Sequence, residues 1–218
     1  MRLKAMAKIN LGLDVLGKRE DGYHEVRMIM QTIRMYDILD IRKTRRPGIV
    51  LTTNLPFIPT DQRNLVYKAA QMLMEEFDVE EGLSIKLRKF IPVAAGMAGG
   101  SSDAAAAFVG VNRMFHLGLT EEQLMERAVK VGADVPYCIM RGTALAEGIG
   151  EKLTRLPEVP KCYVLIGKPG INVSTKTAYE NLNLEGIGKH PDIDGLIGAI
   201  RNNDLYAMAS RMENVFEP

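Results

Sequence analysis

Tryptophan is missing from this 218-residue chain, and cysteine occurs only twice, at Cys138 and Cys162. Two cysteines so far apart provide no framework of regular spacings. That argues against a disulfide-stapled scaffold and fits free thiols in a reducing compartment. An excess of one charge is also lacking, because 28 Lys and Arg against 27 Asp and Glu leave a formal net charge of +1. A balanced surface has no long-range field to draw nucleic acid or an anionic membrane, so any anion must be held by a local site. No apolar run approaches the ~20 residues that a bilayer-spanning helix needs. Lys8, Asn10 and Asp14 interrupt what would have to be the apolar core of a signal peptide, and the expected compartment is the cytoplasm. The three histidines and two cysteines show no ligand spacing. His24-Glu25 opens like H-E-x-x-H, but Met28 stands where the second histidine would be, so a structural metal is not expected.

Hydrophobic residues make up 46% of the chain, enough for one large domain or two small ones. From Leu3 to Val15 every odd position is apolar, while Lys4, Lys8, Asn10 and Asp14 stand on the even ones, which predicts a strand with one buried face. The run KREDG (18–22) supplies an Asp-Gly turn. The apolar-rich stretch from Tyr23 to Met35 after it completes a predicted hairpin. Further strands are predicted at 37–43, 48–53, 83–89, 143–147 and 162–166. Helices are predicted at 64–77, 102–115 and 120–130, with a mostly helical remainder from Thr175 broken around 184–195. The class is α+β, with a soft boundary near residue 150.

The stretch PVAAGMAGGSSDAAAAF (92–108) admits two readings. Gly96, Gly99 and Gly100 precede Ser101, Ser102 and Asp103, which are good N-cap residues, and an alanine run follows. The first amides of such a helix lack intrahelical acceptors and sit at the positive end of its dipole, so a phosphate can dock there. Equally, the loop can simply join a strand to a small-residue helix. Its spacing fails the Walker P-loop, G-x-G-x-x-G and G-x-S-x-G alike.

Several polar residues stand in unusual places. Lys8 and Asn10 share one face of the first strand, ~7 Å apart at strand rise, either to serve one ligand or to lie on a solvated face. Lys89 continues the inward row of Ile85 and Leu87 and needs an anionic or polar partner, unless it snorkels at the strand end. In GADVP (132–136), Gly132 reads as a helix end and Asp134 as the cap of a short helix. Tyr23 and His24 follow the hairpin turn, and with Tyr179 two tyrosines can sandwich a planar ring, or simply be half-buried tyrosines.

Taken together, AKINLGLDVLGKREDGYH, PVAAGMAGGSSDAAAAF and GADVPYCIMRGTALAEGIGE, in that order, resemble the GHMP small-molecule kinases. The superfamily loop P-x-x-x-G-L-G-S-S-A-A is matched with Met97 for Leu, Ala98 for Gly, and the detail shifted at Gly100 and Asp103. G-K-R-x-D-G-Y-H and A-x-G-I-G-E point to the branch acting on a cytidine diphosphate conjugate. The resemblance implies a two-subdomain α+β fold: an N-terminal β-α-β, sandwich-like ATP-binding subdomain over 1–150, and the start of a C-terminal α+β subdomain over 151–218. The active site is expected in the cleft between them.

By the same resemblance, ATP with Mg²⁺ would lie on Pro92, Ala94, Ala95, Gly96, Met97, Ala98, Gly99, Gly100, Ser101 and Ser102. Lys8 and Asp134 match the catalytic pair. Tyr23 and Tyr179 would stack the cytosine, His24 would hydrogen-bond it, and Asn10 and Lys89 would contact the remainder of the substrate. A monomer or weak homodimer is expected. Family members continue into a segment with another Gly-rich loop, which this chain stops short of at Pro218. Two alternatives stay open: another substrate of the superfamily (homoserine, mevalonate or a sugar), or, with that loop absent, a nucleotide-binding module without catalysis.

Overall fold

The computed structural model describes residues 1–170 and 175–217, without the side chains of Thr175, Lys176 and Glu185. The chain divides into two compact units, one of Met1–Lys8, Ile33–Val93 and Met97–Met140, the other of Ile9–Thr32, Ala94–Gly96 and Arg141–Pro218. Strands β1 (Arg2–Lys18) and β2 (His24–Thr44) each contribute residues to both. The sequence suggests a break in β2 near residue 36, but the strand runs unbroken, because Asp37 is a buried polar residue inside it rather than a turn residue.

In the first unit, β3 (Ile49–Thr53) pairs parallel with β4 (Gly82–Arg88), from Ile49 opposite Leu83 to Thr53 opposite Leu87. The crossover between them is α1 (Leu65–Glu76), capped by the Asn64 side chain, which accepts from the Val66 amide. Antiparallel to β4 runs β2, with Ile38 opposite Arg88 and Thr44 opposite Gly82. On the other side of β2, Met1 exchanges hydrogen bonds of 2.7 and 2.8 Å with Ile41. The helical layer holds α1, α2 (Gly99–Phe115), α3 (Glu121–Ala128) and α4 (Val135–Met140). α3 opens with a capping box of Thr120 and Gln123, which satisfies two otherwise orphaned donors.

The alanine run makes close packing possible, since Ala104 to Ala107 are all buried. Three residues beyond Ala107, a Cβ on Gly110 would lie 2.5 Å from Ile41 Cδ1 and 2.7 Å from Leu3 Cδ1. Gly110→Val is expected to lower stability by about 1–3 kcal/mol, since overpacking forces side chains off their rotamers. A urea midpoint that falls at unchanged slope checks this.

In the second unit, β5 (Thr143–Gly148) runs antiparallel to β2, with Val26 opposite Gly148 and Gln31 opposite Thr143. β6 (Lys152–Arg155) pairs with β5, and β7 (Glu213–Asn214) lies parallel to β1 at Gly12 and Leu13. The predicted hairpin turn is present: Arg19 N–H donates to the Tyr23 carbonyl at 2.8 Å, with Gly22 at φ 85°. The helices are α5 (Thr175–Glu180), α6 (Ile193–Arg201) and α7 (Leu205–Ala209), with a 3₁₀ turn at Leu184–Gly186. Leu11, Ile29, Ile193, Leu196, Ile200 and Met208 form the core of this unit. Gly12 lets α6 approach, since a Cβ there would stand 2.9 Å from both Ile193 Cδ1 and Leu196 Cδ2.

Three expectations change. The strand expected at 162–166 is absent, and Tyr163 and Leu165 are fully exposed; a strand needs a neighbour to take its backbone hydrogen bonds, and no described strand pairs with this segment. Of the two readings of Lys8 and Asn10, the solvated face does not hold at Lys8, which is buried like Asp14, while Asn10 is half-buried and Lys4 exposed. Finally, α2 begins at Gly99 instead of near Ser102. Both cysteines are free, Cys138 buried and Cys162 exposed. No described helix is long and apolar enough to cross a membrane.

Candidate active site

The early start of α2 follows from its loop. Ala94, Gly96 and Ala98 have φ of 54°, 68° and 52°, so every second residue is left-handed. Such alternation turns successive backbone N–H groups toward one side, the pattern of an anion nest. Ala98 is the N-cap and makes no side-chain capping bond. Ser101, Ser102 and Asp103 thus lie inside the helix rather than before it, and the leading amides of α2 keep the unfilled donor character that suits a phosphate. Ser102 is engaged elsewhere, its hydroxyl donating to the Met6 carbonyl at 2.6 Å. Gly96 and Gly100 are exposed, and a Cβ on Gly96 would meet nothing within 4 Å, so glycine serves its positive φ rather than a lack of room. Pro92 is half-buried and Met97 buried.

Met97 also ties the helix start to β1, its carbonyl accepting from the Lys8 amide at 3.2 Å. From that strand the Lys8 ammonium reaches to 4.0 Å from Asp134 Oδ2. The lysine side chain is 5% exposed and the aspartate 34%, a buried cation beside a reachable carboxylate. Asp134 occupies the turn between α3 and α4, where Gly132 N–H closes α3 on Ala128 and Cys138 N–H donates to the Asp134 carbonyl. The cap reading of Asp134 thus describes its backbone, while its side chain faces Lys8.

Lys89 found its partner inside the protein. Its ammonium forms ion pairs with Asp37 Oδ2 and, at 2.7 Å, with Asp103 Oδ2, and its side chain is 5% exposed. The inward row requires an anion or polar partner, and two carboxylates of the same unit supply it. Asp37 Oδ1 also accepts from the Phe90 and Ile91 amides at 2.5 and 2.8 Å. Burial, with the Asp37 charge alongside, holds the Asp103 carboxyl well above the usual carboxylate range, against the opposing pull of Lys89.

In the second unit, the Tyr179 ring lies 5.0 Å from the His24 ring at 33° and 5.0 Å from Phe216 in an edge-on arrangement. The structure therefore brings His24 against Tyr179, while Tyr23 is 59% exposed at the hairpin. Asn10 is half-buried on β1.

The GHMP kinases N-terminal domain model matches residues 64–142, which hold the loop, α2 and Asp134. The 4-diphosphocytidyl-2-C-methyl-D-erythritol kinase of Lachnospira eligens is 56% identical over 217 residues, all of this chain and 75% of the relative. The chain belongs to the 4-diphosphocytidyl-2-C-methyl-D-erythritol kinase family. The member from Lachnoclostridium phytofermentans is 57% identical, over 99% of this chain and 74% of its own. A crystal structure of 4-(cytidine 5'-diphospho)-2C-methyl-D-erythritol kinase superposes with a TM-score of 0.79 at 29% identity, covering all of this chain and 76% of that one. The homoserine kinase of Cytophaga hutchinsonii, at 18% identity and TM-score 0.74 over 98% and 71% of the two chains, shares the fold. As a member of the family the chain is a kinase of the GHMP type, with the ATP use that this implies.

Sequence reasoning did not single out Asp37, Asp103 as an ion-pair partner, or Phe216. Asp37 had a signal, for it stands in the period-two row of Leu39 and Ile41, where a charge is costly unless paired. Phe216 had none, because its partner Tyr179 lies 37 residues away through irregular chain.

Proposed function

We propose that this kinase transfers the γ-phosphoryl group of ATP to the 2-hydroxyl of 4-diphosphocytidyl-2-C-methyl-D-erythritol, a step of non-mevalonate isoprenoid synthesis. The observation carrying this is the Lys8–Asp134 pair in a chain 56–57% identical to kinases named for that substrate. In this reading the carboxylate of Asp134 accepts the proton of the acceptor hydroxyl. Lys8 keeps that carboxylate ionised through its charge and stabilises negative charge on the transferred group. The left-handed loop residues and the uncapped start of α2 hold the phosphates, so the chain supplies position and charge rather than covalent chemistry.

Among the described residues no cluster of three or more His, Cys, Asp or Glu could hold a metal. Mg²⁺ binds chiefly through substrate phosphates and water with one or two carboxylates. Asp134 is the carboxylate that would face it, and when bound the ion neutralises phosphate charge.

For the acceptor, the aromatic pair of His24 and Tyr179, with Tyr23 at the hairpin, provides stacking and hydrogen bonding for a cytosine ring, and Asn10 adds a polar contact. Base stacking on an aromatic ring contributes ~1–3 kcal/mol. Tyr179→Ala is therefore expected to raise KM for the cytidine substrate about 5- to 100-fold with little change in KM for ATP. The whole reading is tested by phosphoryl-transfer assays with this substrate beside homoserine, mevalonate and galactose. Turnover of one of the latter, with none on the cytidine conjugate, overturns the assignment. Nucleotide binding without transfer to any of them favours the non-catalytic module instead.

A further inference from the structure

The buried cluster of Asp37, Lys89 and Asp103 has no part in the chemistry above, yet it lies directly beneath the start of α2. Asp37, on β2, gathers the end of β4: it accepts from the Phe90 and Ile91 amides and pairs with the Lys89 ammonium. Asn54 clamps the same point from the other side, with Oδ1 accepting from the Lys89 amide at 2.7 Å and Nδ2 donating to the Lys89 carbonyl at 3.1 Å. Lys89 then passes its second bond to Asp103, in the second turn of α2. Gly99, the first residue of that helix, rests on the cluster: a Cβ there would stand 3.1 Å from Lys89 Nζ and 3.2 Å from Ile91 Cγ2.

We infer that Asp37, Lys89 and Asp103 are positioning residues for the nucleotide loop, with Lys89 acting on ATP through α2 rather than on the acceptor substrate. This rests on the reading of 94–102 as the phosphate loop.

The physical case is one of connection and charge. Three ionisable side chains are taken out of water, which is costly unless they are paired and hydrogen-bonded. What the arrangement provides is a fixed link from two sheet strands to the first turns of a helix that has no side-chain cap of its own. Asp37 has three donors and carries the counter-charge to Lys89. Asp103 has one donor, and its buried Oδ1 has no hydrogen-bond partner among the described residues. Burial raises the Asp103 carboxyl above the usual range against the pull of Lys89, which favours its neutral form, and an asparagine at 103 would match that form in shape and charge.

The test is steady-state kinetics on variants of the whole chain, with KM measured separately for ATP and for the cytidine substrate. Asp103→Ala, which removes the acceptor for Lys89, is expected to raise KM for ATP about tenfold or more, as a hydrogen bond to a charged group is worth ~1.5–3 kcal/mol. Asp103→Asn, which restores the acceptor, should bring it back to within about threefold of wild type, and Lys89→Met should follow Asp103→Ala. In each case KM for the cytidine substrate should stay near wild type.

A rise confined to the cytidine substrate in Lys89→Met would place Lys89 on that substrate and overturn the inference. Equal ATP KM in Asp103→Ala and wild type would overturn it as well, and this variant covers the case in which Lys89→Met does not fold. Gly100→Asp separates this from the loop reading itself. Its Cβ has room, with only Leu65 Cδ1 at 3.7 Å, and its charge should repel the triphosphate. If Gly100→Asp binds ATP normally, the loop reading fails; if it does not bind while Asp103→Ala does, only the positioning role fails.

Discussion

Asp134→Asn is expected to lower kcat by about 10²- to 10⁴-fold, the usual contribution of a positioned general base. The substitution keeps shape and removes only the capacity to take a proton, so ATP affinity should change by less than about threefold, the mark of an interaction used chiefly in the transition state. The structure supports this division of labour. Asp134 is fastened by its backbone in the α3–α4 turn, so loss of the charge does not free the side chain from its place. Its nearest described cation is Lys8, 4.0 Å away and almost fully buried, which has little reason to move when its partner becomes neutral. Single-turnover measurements with saturating ATP read the chemical step directly. Near-normal turnover in the variant would remove Asp134 as the base.

Asp37→Ala should have the largest effect on stability, a loss of about 3–5 kcal/mol, the range for breaking a buried ion pair by removing one partner. The Asp37 side chain is fully buried, and its removal strands the Lys89 charge and the Phe90 and Ile91 amides together. Denaturant unfolding checks the figure, and a change under about 1 kcal/mol would mean that water reaches the site. Asp103 adds a pH dependence of opposite sense to an ordinary salt-bridged carboxylate. Its folded carboxyl titrates above the unfolded value, so the native state holds a proton that the unfolded chain has released. Its contribution to stability is complete below the unfolded carboxylate range and is lost as pH rises through the folded value. Asp103→Asn cannot ionise, so its stability should fall less than that of wild type over this rise.

Lys89 shows how far reading residues in order can go. Its place in the row of Ile85 and Leu87 announced that it faced inward and needed an anion. The identity of that anion depended on Asp37 and Asp103, 52 and 14 residues away, brought together by the β2–β4 register and the packing of α2. The resemblance offered the erythritol or diphosphate region of a substrate, and the fold provides two carboxylates. The start of α2 shows a second limit. Serine and aspartate are good caps, but the left-handed turn at Ala98 winds the helix three residues earlier, because backbone conformation in a loop is set by its ends as well as by side-chain preference.

By itself the sequence determined what depends on local pattern and on shared descent. The alternation of β1, the Asp-Gly hairpin, the helices α1 and α3, the α+β class and membership of a kinase family were all legible along the chain. Only the tertiary structure decided what lies across it. It set Lys8 against Asp134, Tyr179 against His24 and Phe216, and Lys89 between two aspartates. The physical reason is that periodicity tells which side of an element is buried, while the partner waiting on that side is set by strand register and helix packing. For a buried charge the choice of partner decides both its energy and its role.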